Sequence, residues 1–244
     1  MRHFFVLSAL LVSSIVQADV SYVYKTNPYA THQPILYEIA INTTGPIIEF
    51  GCGDGSTDLL HDICKKNNRI LISIDNDLNW LDRYKNKYLG DGYLPDNSGW
   101  HKILFVPGKI NDSDPQHWID FLDSCELLKE YSFDLCFIDQ SPGMARTETI
   151  VRFKDKARYI ILHDCDMYAG DNFEKFVPGV QAFGKQIQPL DAVRSIPGIY
   201  DFSALFRYFK VYFPAKPWPG HSGPPTLLVS NFDNSFPDDS VYCK

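Results

Sequence analysis

The 244-residue chain is poor in methionine, with three, and in cysteine, with six; it has no C-x-x-C pair, no basic block and no apolar run of bilayer length. The cysteines Cys52, Cys64, Cys125, Cys136, Cys165 and Cys243 are too few for a disulfide scaffold and lack zinc-site spacing. Two readings of them stand: small buried hydrophobes on or beside core strands, or one or two oxidised pairs in an exported chain. Lys and Arg number 23 against 30 Asp and Glu, a net charge of -7. That balance argues against nucleic acid as a partner, because such contacts rely on Lys and Arg neutralising phosphates. The longest apolar run covers thirteen residues, 4–16, whereas a membrane-spanning helix needs about 20.

What is present has ordinary globular proportions: 45% hydrophobic, 14% aromatic and 22% charged, which excludes a disordered, collagen-like or coiled-coil chain. Arg2, the 4–16 run and Val16-Gln17-Ala18 have the form of a secretory signal peptide over 1–18, with 19–244 as a single domain. An uncleaved anchor and a buried first helix are the other readings. A cleaved signal places the protein in the secretory pathway or outside the cytoplasm and leaves no stable membrane span; without a signal the protein is expected in the cytoplasm.

Apolar runs and helical periods alternate along the chain. Helices are expected over 32–42 (Pro34 in its first turn), 57–66, 78–88, 117–130 and 147–156, and strands over 47–50, 69–74, 102–106, 133–138 and 159–162. Two further strands, 206–213 and 226–230, are joined by a Pro/Gly-rich segment without helical period, so they pair antiparallel. The expected class is α/β: a Rossmann-like, doubly wound, seven-stranded sheet, mostly parallel, with an antiparallel C-terminal strand pair. The aromatics of 208–218 are read as core rather than as a ring-binding surface.

The most informative stretch is Glu49-Phe50-Gly51-Cys52-Gly53-Asp54-Gly55-Ser56-Thr57, between the first strand and its helix. Its glycines allow a sharp turn and close approach of a ligand to the backbone, and the helix start offers free amides. A dinucleotide fingerprint wants glycine where Ser56 stands. Glu49-x-Gly51-x-Gly53-x-Gly55 instead resembles the first motif of class I S-adenosylmethionine (SAM)-dependent methyltransferases. The resemblance covers 31–230 and is strongest to a bacterial-type subgroup. Its marks are Thr31, His32 and Pro34 before the first strand; Ser56 and Thr57; Asp75 and Asp77 after the second; Asp139, Pro142 and Arg146 after the fourth; and His163 and Asp164 after the fifth. The signal-like start departs from this pattern.

The resemblance implies SAM as cofactor, with the Gly51, Gly53 and Gly55 loop near its methionyl part and Ser56 and Thr57 opening the helix behind. Glu49 orients the loop. Asp75, followed by Asn76, accepts the ribose hydroxyls, with Asp77 as the alternative, and the backbone of Pro107-Gly108-Lys109-Ile110 comes near the adenine. Asn27-Pro28-Tyr29 resembles part of the amine-holding tetrapeptide of DNA adenine methyltransferases but lacks a residue of it.

Asp139 ends the fourth strand and His163-Asp164-Cys165-Asp166 the fifth, so these side chains should converge at the ligand edge of an open sheet. His163 or Asp139 acts as base with Asp164 assisting, or the group shapes the pocket by hydrogen bonding. Asp139, Asp164 and Asp166 are oxygen ligands suited to Mg²⁺ or Ca²⁺; catechol-type O-methyltransferases follow the fifth-strand acid with Asn, however, and Cys165 stands here, so a divalent metal is not favoured. Arg146 clamps an acidic acceptor or pairs with a neighbouring acid, and His32 lids the cofactor or caps its helix. The segments 90–99 and 169–200 are expected to line the acceptor site. The expected function is methyl transfer from SAM to oxygen or nitrogen of a small molecule. Its rivals are aminopropyl transfer, which Gly53-Asp54-Gly55 permits, and a non-catalytic, exported SAM-binding domain.

Overall fold

The computed structural model describes residues 30–108, 114–165, 205–212, 214 and 224–243. The signal-like start, Asn27-Pro28-Tyr29, Lys109, Ile110, Asp166 and the 169–200 segment lie outside the described residues, as does most of the 213–223 connection. In chain order the elements are α1 (Gln33–Ile41), β1 (Ile47–Phe50), α2 (Thr57–Lys66), β2 (Leu71–Asp75), α3 (Leu78–Tyr88), β3 (His101–Phe105), α4 (Gln116–Ser124), α5 (Leu127–Glu130), β4 (Phe133–Ile138), α6 (Gly143–Phe153), β5 (Ala157–His163), β6 (Tyr208–Tyr212) and β7 (Thr226–Ser230). No helix among the described residues is long and apolar enough to cross a membrane.

The strands form one sheet in the order β3-β2-β1-β4-β5-β7-β6. The five from β3 to β5 are parallel, and β7 runs against both β5 and β6. The expected fold class is therefore observed, with β7 inserted between β5 and β6 as the reversed strand. Strand order reverses between β1 and β4, which makes the carboxyl ends of those strands the place where an open sheet forms a crevice.

The central strands are buried on both sides because the sheet is sandwiched between two cores. Ile48, Phe50, Cys136 and Ile138 face Trp118, Leu122 and Phe153 of α4 and α6, while Ile47, Leu135 and Phe137 face Ile35, Leu59 and Ile63 of α1 and α2. Strand alternation then turns Glu49 toward α2. Cys52, Cys64 and Cys136 are buried, which fits the hydrophobe reading of these three.

Several boundaries differ from the expectations. The single helix over 117–130 is two, α4 and α5, and the Ser124 hydroxyl donates to the Asp120 carbonyl (2.8 Å or less is typical of a strong hydroxyl bond; here 2.6 Å), a local bond that competes with continuing the helix. Helix α6 begins four residues before the expected Thr147, directly after Pro142, whose extended backbone opens it. The 90–99 segment does not reach the ligand edge: the Trp100 carbonyl accepts from Leu71 at the start of β2 (2.9 Å) and the Gly92 carbonyl from His101 at the start of β3 (3.0 Å). Helix α3 has carried the chain back to the amino ends of the strands, opposite the crevice.

Candidate active site

The glycine loop is fixed by backbone bonds at both ends. Gly51 donates to the Ile74 carbonyl (2.8 Å) and Asp139 to the Phe50 carbonyl (2.7 Å), which holds the ends of β2, β1 and β4 together. Gly51 takes φ +92°, and a Cβ there would lie 2.5 Å from the Asp139 carbonyl. A Cβ at Gly55 would meet the His32 ring at 2.9 Å, whereas one at Gly53 would meet nothing within 4 Å among the described residues. The first and third glycines thus serve the packing, and the middle one marks the open side of the loop. Gly53 donates to the Thr57 hydroxyl (2.9 Å).

Behind the loop, Glu49 is fully buried. Its Oε1 accepts from Ser56 and from Thr57 (3.1 Å), and its Oε2, with the Ser73 hydroxyl nearby, makes no hydrogen bond of good geometry among the described residues. Burial pushes the Glu49 carboxyl up to about 8, from an ordinary value of 4.5. The folded protein therefore holds this proton more tightly than the unfolded chain, so the stabilisation is complete below about 4.5 and is lost as pH rises toward about 8. The stability of the wild type relative to Glu49→Gln is expected to fall by about 1.4 kcal/mol per pH unit across that window. Denaturant unfolding of both proteins at pH 5 through 8 measures it; a constant difference would show an ordinary carboxyl.

Asp75 ends β2 with both carboxylate oxygens engaged: Oδ2 accepts from the Cys52 amide (2.6 Å) and Oδ1 from the Asp77 amide (2.7 Å). Burial raises it to about 6. Asp77, the alternative ribose acid, caps α3 by accepting from the Asn79 amide (2.8 Å). Beyond β2 and β3, Asn76 lies 3.4 Å from His117, and Gly108 packs so closely on that ring that a Cβ would overlap it. His117 has no motif of its own, and the sequence reading missed it.

The register Ile138↔Leu162 places the next residues, Asp139 and His163, side by side. His163 Nδ1 is 3.2 Å from Asp139 Oδ2 and 3.3 Å from Asp164 Oδ1, and its Nε2 is 3.2 Å from the Thr31 hydroxyl. Asp164 holds φ +51°. Arg146 reaches in from α6 with Nη2 2.9 Å from Asp139 Oδ1 and Nη1 3.4 Å from Asp164 Oδ2; it also donates to the carbonyls of Gln140 and His163, both at 2.8 Å. Of the two readings of Arg146, the ion pair with neighbouring acids is thus present. Burial opposes ionisation of Asp139, but His163 and Arg146 outweigh it and hold the carboxyl well below the usual range. Burial likewise lowers His163, and Asp139 outweighs it to leave a net rise.

His32 stands at the N-cap of α1 without capping it through its side chain. Its ring stacks edge-on against His163 (centroids 4.3 Å) and lies against Phe137 (4.7 Å). The structure thus joins Thr31, His32, Asp139, Arg146, His163 and Asp164 into one cluster beside the glycine loop.

No protein-family model matches the chain, and no curated protein does. Among solved structures it is similar to an rRNA methylase from Streptococcus thermophilus (10% identity, TM-score 0.46, 85% of this chain and 98% of that one). It is also similar to the spermidine synthase from Thermotoga maritima (15%, TM-score 0.45, 88% and 64%) and to the human methyltransferase 10 domain containing protein (15%, TM-score 0.45, 86% and 85%). The chain's own strand order, with β7 reversed at the β5 edge, is that of a Rossmann-like, mostly parallel seven-stranded sheet with an antiparallel C-terminal pair.

Proposed function

We propose that this protein is a SAM-dependent methyltransferase acting on oxygen or nitrogen of a small-molecule acceptor. The observation that carries the reading is the glycine loop after β1, at the strand-order reversal, with an open face at Gly53 and clamped through the Cys52 amide to Asp75 at the end of β2. Gly53 and the amides at the start of α2 would hold the methionyl part, Asp75 the ribose, and Asn76, Gly108 and His117 the adenine end. SAM supplies a methyl group already activated by its sulfonium, so the chain's main task is alignment of the acceptor. Asp139 is suited to this: its side chain is 27% exposed, against 2% for His163, and it would orient the acceptor by taking a hydrogen bond from it. His163 and Arg146 fix that carboxylate in place.

The aminopropyl-transfer alternative needs a second acid after Asp139, whereas Gln140 stands there with its amide donating to Thr149 and to the Ala145 carbonyl (3.2 Å). Calorimetry with SAM and S-adenosylhomocysteine tests the proposal, and no binding by folded protein would refute it. Asp75→Ala is expected to weaken binding by about 1.5 to 3 kcal/mol, the range for hydrogen bonds to a charged group. Unchanged affinity in that variant would rule out Asp75 as the ribose acid. Binding without methyl transfer to any fraction of cell extract would favour a non-catalytic domain.

A further inference from the structure

The cluster of Thr31, His32, Asp139, His163 and Asp164 contains an arrangement that hydrogen bonding among the described residues does not complete. The Thr31 hydroxyl donates its proton to the Pro224 carbonyl (2.6 Å), so toward His163 it accepts, and His163 Nε2 carries a hydrogen. Nδ1 of His163 then presents a lone pair to two carboxylate oxygens, Asp139 Oδ2 and Asp164 Oδ1, at 3.2 and 3.3 Å. Three acceptors facing one another require a proton or a metal ion between them. A proton on Nδ1 would satisfy His163 but leave His32 unexplained: His32 is 3% exposed, and among the described residues the Gly55 backbone beside its ring is the one polar group that approaches it outside the cluster, without a hydrogen bond of good geometry. Asp164 Oδ1 is likewise buried without a hydrogen bond among the described residues.

A metal ion accounts together for His163 Nδ1, the two carboxylate oxygens and one of the two His32 ring nitrogens. One ligand atom from each of His32, Asp139 and His163 lies within 4.8 Å of the others. Ligand atoms at about 2.1 Å from a shared metal are about 3.0 to 3.4 Å apart, and the 3.2 Å between His163 Nδ1 and Asp139 Oδ2 already falls there. With neutral imidazoles, Asp139, Asp164 and Arg146 sum to a charge of minus one, which a dication reverses rather than compounds. We propose that His32, Asp139 and His163 bind one first-row transition-metal dication, such as Zn²⁺, Co²⁺ or Fe²⁺, with Asp164 as an adjoining oxygen. Two imidazoles with one carboxylate suit these ions rather than Mg²⁺ or Ca²⁺ and leave coordination positions open for water or an acceptor oxygen. The site differs from the all-oxygen set of Asp139, Asp164 and Asp166 considered from sequence, and it does not rest on the cofactor reading.

The test uses the full chain, stripped with a chelator and titrated with CoCl₂ by visible absorption and with ZnCl₂ by calorimetry, in the absence of SAM. The expected result is one ion per chain, with cobalt d–d bands and no thiolate charge-transfer band. His32→Ala, and His32→Phe, which keeps the ring packing on Phe137, are each expected to weaken binding at least ~10-fold, on the scale of lost metal-site groups, with the far-UV circular dichroism unchanged. No stoichiometric uptake, a thiolate band, or wild-type affinity in whichever variant folds overturns the proposal.

Discussion

Gly51→Ala is expected to lower the melting temperature by roughly 10 °C and to abolish measurable SAM binding, whereas Gly53→Ala should leave the melting temperature nearly unchanged. At Gly51 the φ of +92° costs an L-residue about 1 to 2 kcal/mol, and the added Cβ would sit 2.5 Å from the Asp139 carbonyl carbon and oxygen and 2.7 Å from the Gln140 nitrogen. These are backbone atoms at the end of β4, so relief requires separating β1 from β4 where Asp139 donates to the Phe50 carbonyl. A total of about 3 to 4 kcal/mol then corresponds to a shift near 10 °C for a chain of this size. Gly53 has free space on its Cβ side, so a methyl there costs the apo fold little and intrudes on whatever the loop holds. Thermal unfolding and calorimetry on the pair separate the two roles, and equal melting losses in both variants would contradict this division of the loop.

That division was only half legible in the sequence. A strand, a glycine loop and a helix are local features, so β1, α2 and the loop were found from apolar runs and spacing, and α3, β4 and β7 matched at both ends because polar or turn residues bound them sharply. The three glycines are equivalent on paper; what tells them apart is Asp139 and His32, 88 and 23 residues away from the loop positions they press on. Asp75 is the first choice for the ribose and Asp77 the alternative, since an acid two residues after another lies at the same strand end. The cap from Asp77 to the Asn79 amide separates them. Helix α6 was placed four residues late because Gly143 and Met144 carry no apolar period, and the break between α4 and α5 has no proline or glycine to announce it.

Pairings across the sheet were the least visible. Nothing in the sequence gives β7 its place between β5 and β6, or brings His32 from α1 onto His163, 131 residues later. The same holds for His61 and His101, whose Nδ1 atoms are 3.0 Å apart under the Tyr88 and Trp100 rings. Burial lowers both of these histidines, to about 4 and about 3, which makes them neutral core groups far from the crevice. Residue type alone does not distinguish such a pair from His32 and His163; position at the carboxyl ends of the strands does.

Arg146→Leu is expected to cost about 3 to 5 kcal/mol of stability, the range for removing one partner of a buried ion pair, or roughly 6 to 20 °C in melting temperature. The guanidinium bonds Asp139, Asp164 and the carbonyls of Gln140 and His163, tying the end of β4, the start of α6 and the end of β5 to one another. Its loss leaves two carboxylates facing each other across His163 and frees two carbonyls at the crevice. Leu fills similar volume, so the loss reports the charge and the bonds rather than a cavity. An acceptor clamp would behave differently: a side chain held ready for a ligand spends its donors on that ligand, and its removal would leave the empty protein's melting temperature within a few degrees of wild type. Thermal unfolding of Arg146→Leu and Arg146→Lys without ligand decides this, and Lys, which keeps the charge but cannot span both acids and both carbonyls, is expected to recover only part of the loss.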